Sequence, residues 1–108
     1  MRVRWLRKAL LNLDQEANYI AHDNPGAAAE FVIHLRESAV TLGDHPDLGR
    51  PGRISGTREL VVTKFPYILP YRVRNNVVEI LRVFHTARKW PEIFSEPVAI
   101  GDWVRVSS

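Results

Sequence analysis

The sequence predicts an α+β fold in which an N-terminal strand and a helical hairpin pack on a curved antiparallel β-sheet, in the order β-α-α-β-β-β. Two observations support this class. Apolar residues recur at helical spacing through residues 6–42, whereas residues 58–84 are rich in β-branched and aromatic residues joined by short polar connections. A length of 108 residues favours one domain, residues 1–108, in which residues 91–108 form a C-terminal tail.

The first strand and the first helix come from the N-terminal residues. Residues 2–5 have the composition of a short strand. An apolar seam at helical spacing then predicts a helix that runs to about His22, with Leu6, Leu10, Leu13, Ala17 and Ile20 on its buried side.

A turn and a new helix follow. Asn24 is suited to an N-cap, and Pro25 to the first helical position, where its missing N–H is not needed. Gly43 is predicted to end this helix as the C′ residue, because glycine adopts the left-handed conformation at little cost. The apolar face of the second helix is predicted to consist of Ala28, Phe31, Val32, Leu35, Ala39 and Leu42.

Residues 43–57 hold four of the six glycines and two prolines, which predicts a long loop that is either a contact element or a simple connector. Three strands are predicted after it, over residues 58–63, Tyr67–Arg74 and 77–84. Asn75 and Asn76 form a two-residue hairpin turn, since asparagine tolerates positive φ.

Two features indicate how these strands are placed. Residues 77–84 are apolar on both faces, which is typical of a central strand. Pro70 lacks a backbone donor, so it should either face away from a neighbouring strand or lie at a bulge.

Positive charge is concentrated in the predicted sheet. Residues 50–90 carry nine lysines and arginines against two acids, Glu59 and Glu79, which gives +7 within a chain of net charge +3. Residues 1–49 and 91–108 each carry −2. With both helices on one side, we expect the other sheet face to be bare and basic and to suit a carboxylate- or phosphate-bearing partner.

Composition excludes several function classes. The absence of cysteine excludes disulfides and thiolate chemistry and fits a reducing compartment. His22, His34 and His45 have no metal-ligand spacing, so we expect no metal and no cofactor. The N-terminus has no apolar run of signal or membrane-span length, so we expect a cytoplasmic protein without membrane association.

The run from Gly56 to Trp90 carries the pattern G-x-R-E-L … P-Y-x-x-x-Y-R-V … I-L-R-V-x-H-x-A-R-x-W. Together with the preceding strand and helical hairpin, this pattern resembles the RelE/ParE toxin superfamily of bacterial type II toxin–antitoxin modules over residues 2–91. The residues that carry the resemblance are Gly56, Arg58, Glu59, Leu60, Pro66, Tyr67, Tyr71, Arg72, Val73, Leu81, Arg82, Val83, His85, Ala87, Arg88 and Trp90.

The resemblance implies one of two functions. ParE-type members inhibit DNA gyrase by binding and are neutralised by a ParD-type antitoxin in a hetero-oligomer. RelE-type members cut mRNA on the ribosome. Three positions depart from nuclease relatives: Ile68 replaces an arginine, Glu59 to Val62 replaces a lysine-bearing stretch, and Thr86 replaces a tyrosine. We therefore expect a ParE-like toxin that is not an enzyme, with the mRNA interferase as the alternative.

Candidate residues follow from these two functions. If the protein is a nuclease, His85 is the acid–base group and Arg72, Arg82 and Arg88 stabilise charge; otherwise His85 is structural. The candidates for binding an antitoxin or target are Arg50, Arg53, Arg58, Arg72, Arg74, Arg82, Arg88 and Trp90. For a single arginine, solvation of an open sheet is the simpler interpretation, and Trp90 is either a stacking platform or a plug at the edge of the core.

Overall fold

Two helices cover one face of a mixed β-sheet in the computed structural model, which describes residues 1–87. The tail 91–108 and two candidate residues, Arg88 and Trp90, lie outside the described residues. The elements in chain order are β1 (Arg2–Trp5), α1 (Arg7–Asp23), α2 (Pro25–Asp44), β2 (Arg50–Pro51), β3 (Arg58–Val62), β4 (Tyr67–Arg74), β5 (Val77–Ile80) and β6 (Phe84–His85).

The junction between the helices forms as predicted. The Asn24 side chain accepts a hydrogen bond from the Ala27 N–H at 3.1 Å, and Pro25 begins α2. The prediction for Gly43 is wrong, because α2 continues through Asp44 and Gly43 has no positive φ. A Cβ at Gly43 would lie 2.7 Å from the Met1 carbonyl oxygen, so this glycine allows β1 to approach α2 closely.

The strand order is β1-β5-β4-β3-β2, and β6 pairs with β4 beyond β5. β1 runs parallel to β5, whereas the other pairs are antiparallel, so the predicted α+β fold is confirmed with one parallel pair at its edge. Parallel neighbours need a long connection, and here the helical hairpin and three strands, β2, β3 and β4, separate β1 from β5 in the chain.

The hairpin between β4 and β5 turns at Asn75 and Asn76, whose φ angles are 54° and 61°. Positive φ at both central residues is the geometry that a two-residue hairpin favours, so this prediction is confirmed. β5 lies between β1 and β4, as its apolar composition predicts for an interior strand.

The predicted strand over residues 77–84 is interrupted by a bulge. Tyr71 is paired with Ile80 and Ile68 with Phe84, so residues 81–83 lie opposite only two residues of β4. Pro70 is one of those two, and its carbonyl accepts from the Leu81 N–H at 2.8 Å. The prediction that Pro70 lies at a bulge is therefore confirmed.

The main core lies between the helices and the sheet. The alternation of side chains along β4 directs Tyr67, Leu69 and Tyr71 toward the helices. Phe31 packs against Tyr67 with ring centroids 4.7 Å apart. We call the opposite side, which carries Arg72, Arg74 and Glu79, the outer sheet face. The main core contains Ala9, Leu13, Phe31, Leu35, Ala39, Leu42, Val62, Tyr67, Leu69, Tyr71, Val78, Ile80 and Val83.

Candidate partner-binding surfaces

Glu79 lies at the centre of one arginine cluster on the outer sheet face. It is paired in register with Arg72 of β4 and with Arg4 of β1. The Arg72 Nε atom donates to Glu79 Oε1 at 2.7 Å, and the Arg74 Nε atom lies 3.7 Å from the same oxygen. The Glu79 side chain is only 4% exposed, so its charge is held inside the cluster.

Glu59 forms a second cluster toward the β2 edge. Its carboxylate lies 3.3 Å from Arg50 Nη2 and accepts from the backbone N–H of Arg53 at 3.0 Å. The Glu59 side chain is 3% exposed, whereas those of Arg50 and Arg53 are 55% and 50% exposed. The buried Glu59 carboxylate therefore holds Arg50 and Arg53 in place, while both arginine side chains remain in contact with solvent.

These two clusters correct the expectation of a bare basic face. Within residues 50–87, seven basic side chains against two acids give +5, and both acids lie among the arginines, where each carboxylate is shared by two of them. The sequence shows that acids are few, but only the register shows that they lie among the arginines.

Four of the predicted binding candidates, Arg58, Arg72, Arg74 and Arg82, do not come together in one site. Arg58 alternates with Leu60 and Val62 on the helix-facing side, and its Nη1 donates to the Gly49 carbonyl at 2.8 Å. Arg82 lies in the bulge and is 9% exposed, and burial lowers the pKa of its guanidinium. Partial burial lowers the pKa of Lys8 on α1, and the charge of Arg82 lowers it further.

The loop before β3 is fastened to the sheet by Tyr71. The Tyr71 hydroxyl donates to the Pro46 carbonyl at 2.6 Å and accepts from the Gly49 N–H at 2.8 Å. A Cβ at Gly49 would lie 2.6 Å from the Tyr71 ring, so only glycine fits there. Burial raises the pKa of Tyr71, because a buried site favours the neutral phenol over the charged phenolate.

His85, the predicted acid–base candidate, lies on β6 opposite Tyr67. Its ring contacts the Tyr67 ring edge-on, with centroids 5.0 Å apart, and its Nδ1 accepts from the Ala87 N–H at 3.0 Å. Neutral His85 therefore carries its proton on Nε2. The Tyr67 hydroxyl donates to Glu16 Oε1 at 2.7 Å, so the nearest phenol is already bonded within the protein.

The other predicted nuclease residues do not share this position. Since Tyr67 faces the helices, His85 lies on that side of the sheet, whereas Arg72 lies on the outer sheet face beside Glu79. Ile68, which replaces the arginine of nuclease relatives, is 5% exposed.

Sequence reasoning missed a groove between β1 and α1. The groove measures about 540 Å³ and is lined by Trp5, Leu6, Leu10 and Leu11, with Arg4, Arg7 and Asp14 around it. We call it the β1–α1 groove. Leu10 and Leu11 are 50% and 52% exposed, so the predicted burial of Leu10 in the helical seam is wrong. The available signal was the adjacent Leu10-Leu11 pair, because one helical stripe cannot bury both.

The start of α1 adds positive charge beside this groove. Arg7 and Lys8 lie in its first turn, which has no acidic residue, and Leu6 provides no side-chain cap. Cations at this end of a helix add to the positive end of the helix dipole. The surface therefore combines half-exposed leucines with a cationic edge.

Residues 1–87 contain no cluster of three or more histidine, cysteine or acidic side chains arranged to hold a metal ion. No helix in this part of the chain is both long and apolar enough to cross a membrane.

Comparison with solved structures defines the class of protein. A chain of the chromosomal ParDE TA system from P. aeruginosa aligns with a TM-score of 0.71 and 30% identity, over 79% of this chain and 95% of that chain. The helical hairpin on a small sheet is therefore the fold found in a type II toxin–antitoxin system.

Comparison of sequences gives the family. The model of the family described as ParE toxin of type II toxin-antitoxin system, parDE, matches residues 3–90. Y4kP from Sinorhizobium fredii, described as a candidate toxin, is 46% identical over 85% of this chain and 95% of its own length. Toxin RelE2 from Caulobacter vibrioides is 36% identical over 80% of this chain and 96% of its own length. The chain belongs to the ParE toxin family and is a toxin of the type II toxin–antitoxin class.

Proposed function

We propose that this toxin inhibits DNA gyrase by binding, acts in the cytoplasm and is neutralised by a ParD-type antitoxin in a hetero-oligomer. The family description names the parDE system, and the aligned structure is of a ParDE system. Both findings concern the class of module, and the target and the antitoxin of this chain follow from them by analogy.

The proposal that the toxin acts without catalysis rests on the separation of His85 from Arg72. Metal-free RNA cleavage needs an acid–base group and a cation within reach of one phosphate. His85 lies on the helix side of the sheet and Arg72 on the outer sheet face, with Glu79 bonded to it. This arrangement favours a toxin that acts through binding.

The second candidate is a ribosome-dependent mRNA interferase. The similarity to Toxin RelE2 favours it, because that relative is named after the RelE branch and is 36% identical. In this candidate, the Nε2–H of His85 would be a proton donor, with Arg82 or Arg88 as the cation.

Gyrase activity distinguishes the two candidates. Purified gyrase is given relaxed plasmid with increasing amounts of this toxin, and we expect loss of supercoiled product with accumulation of cleaved DNA. Addition of the ParD-type antitoxin from the adjacent gene should restore supercoiling. Unchanged gyrase activity, together with codon-specific cleavage of mRNA on translating ribosomes, would favour the interferase and contradict the proposal.

Replacement of His85 provides a second test. His85→Ala should leave growth inhibition intact if the toxin acts by binding, because no proton transfer is needed. His22→Ala, at the exposed end of α1, is the matched control for expression and folding. Loss of toxicity in His85→Ala alone, with an unchanged circular dichroism spectrum, would support a catalytic histidine instead.

A further inference from the structure

The outer sheet face carries a regular arrangement of arginines to which the proposed function gives no role. Two rows of residues cross three strands in register on this face: Arg4, Glu79 and Arg72 in one, and Arg2, Val77 and Arg74 in the other. The parallel pairing of β1 with β5 is what brings the arginines of β1 beside the β4–β5 hairpin. We call the four arginines together with Glu79 the Glu79 cluster.

The sheet holds these arginines at fixed separations. Neighbouring strands lie about 4.8 Å apart, and residues two positions apart on one strand lie about 6.5–7 Å apart. The Arg72 side chain is 12% exposed and donates to Glu79, whereas that of Arg74 is 41% exposed. Arg2 and Arg4 are also exposed. Because three of the arginines face solvent from a rigid sheet, a ligand that binds them orders less of the protein than it would on a loop.

The charge of the cluster determines what kind of ligand it suits. Four arginines and one glutamate give it a formal charge of +3. A single small anion would be drawn to the middle of the cluster, but the Glu79 carboxylate occupies that position and would repel it. A ligand with many anionic groups along its length can contact the surrounding arginines without approaching Glu79. The Glu79 cluster therefore suits a polyanion.

The surrounding side chains distinguish between polyanions. Proteins that bind single-stranded nucleic acid stack its bases on aromatic side chains. The aromatic residues of β1, β4 and β5 are Trp5, Tyr67 and Tyr71, and all three pack on the helix side of the sheet. An acidic protein segment would need apolar contacts, and Val77 is the one apolar side chain in the two rows. The arrangement favours the backbone of a nucleic acid duplex, whose bases are stacked inside.

We infer that the Glu79 cluster binds the phosphate backbone of duplex DNA without sequence preference, since contacts to phosphates carry no base information. A toxin bound to gyrase then also contacts the DNA on which the enzyme acts. This last step rests on the proposed function, whereas the binding of DNA by the toxin alone does not.

The anisotropy of a fluorescently labelled duplex of about 20 base pairs measures this binding at about 50 to 200 mM salt. Each phosphate contact contributes about −0.9 to the slope of log K against log salt. Arg2→Gln/Arg74→Gln removes two exposed cations and retains the more buried Arg72. The slope should become shallower by about 2, and the affinity at the lowest salt should fall about tenfold. Duplexes rich in A·T and in G·C pairs should bind within about twofold of each other.

The matched control removes the same charge from other exposed positions. Arg36 lies on α2, and Lys64 lies in the connection between β3 and β4 with its side chain 56% exposed. Arg36→Gln/Lys64→Gln should change the affinity less than about twofold. Circular dichroism of both double variants checks that they fold.

A variant that adds charge tests the same surface in the opposite direction. Val77→Lys places a cation between Arg2 and Arg74, so it should tighten binding about threefold and make the slope steeper by about 1. Val40→Lys adds the same charge on α2, where Val40 is 65% exposed, and should leave the affinity within about twofold. This pair decides the question even if Arg2→Gln/Arg74→Gln does not fold.

Three results would overturn the inference. They are absence of DNA binding at about 50 mM salt, equal effects of the cluster variants and their controls, and tighter binding to single-stranded RNA of the same length than to the duplex. The second result would assign binding to the net charge of the whole chain. A toxin that binds duplex DNA through the Glu79 cluster but leaves supercoiling unchanged would contradict the proposed function and support the DNA site.

Discussion

The outer sheet face and the β1–α1 groove are both cationic, but they are built in opposite ways. On the outer sheet face, Glu59 and Glu79 are almost fully buried and hold the surrounding arginines by ion pairs. In the groove, Leu10 and Leu11 remain half exposed, and the first turn of α1 carries cations at the positive end of its dipole.

This difference shows that the density of charge along a sequence does not identify the surface that needs a partner. The outer sheet face has the larger number of arginines, but its own carboxylates satisfy part of their charge and hydrogen-bonding capacity. The groove has fewer charges and leaves apolar area in contact with water, which a partner can bury. Stability and binding measurements should therefore respond differently to changes in the two regions.

The largest effect is expected from Glu79→Ala. The Arg72 side chain is only 12% exposed, so removal of its carboxylate leaves a poorly hydrated guanidinium and should lower the free energy of unfolding by about 3 kcal/mol. Urea denaturation followed by circular dichroism measures this change. Glu37→Ala, on the exposed side of α2, is the matched control and should stay within about 0.5 kcal/mol. Equal stability of both variants would show that the Glu79 cluster contributes nothing to folding.

Glu59→Ala should cost less, about 1–2 kcal/mol, although its carboxylate is equally buried. Arg50 and Arg53 are half exposed, so water replaces their lost partner, and the main loss is the bond from the Arg53 N–H. The same denaturation experiment ranks the two glutamates. A larger loss for Glu59→Ala than for Glu79→Ala would mean that exposure of the arginines does not control the cost.

Local signals in the sequence were sufficient for much of the fold. Asn24 and Pro25 predict the start of α2, and the Asn75-Asn76 pair predicts a turn, because each depends on the conformation of a few neighbouring residues. Tyr67–Arg74 forms over the predicted range. The role of Gly43 could not be predicted locally, because it depends on the close approach of Met1, which is distant in sequence.

Features that depend on strand register could not be predicted from the sequence. The Glu79 cluster exists because β5 places Glu79 between Arg4 and Arg72. The residue pattern within one strand does not show which residues of the neighbouring strands lie beside it. The parallel placement of β1 likewise depends on the whole topology. The exposure of Leu10 depends on how α1 lies relative to β1, which an apolar seam alone does not specify.

A smaller effect of opposite sign is expected from Lys8→Gln. Lys8 lies in the first turn of α1, where its charge opposes the helix dipole, so the variant should be more stable by about 0.5 kcal/mol at pH 7. Desolvation, with the Arg82 charge second, lowers the pKa of Lys8 in the folded state. The unfolded state therefore binds more protons in the pH window just below 10.5, the ordinary pKa of lysine, and the stability of the wild type should rise toward the variant's through that window.

Urea denaturation of the wild type and of Lys8→Gln is measured at pH 7 and at several pH values approaching 10. The difference between their free energies of unfolding is then plotted against pH. Arg36→Gln, away from the first turns of both helices, is the control for loss of a positive charge. A stability difference that stays constant with pH would contradict the lowered pKa of Lys8.

The smallest effect on stability is expected from Leu11→Ser. A leucine that is 52% exposed in the folded state loses little burial on replacement, so the free energy of unfolding should change by less than about 0.5 kcal/mol. Leu13→Ser, two residues along α1 and 8% exposed, is the control for a leucine in the main core and should cost several times more. If Leu11→Ser proved as costly as Leu13→Ser, the β1–α1 groove would be part of the folding core, and its leucines would not be available to a partner.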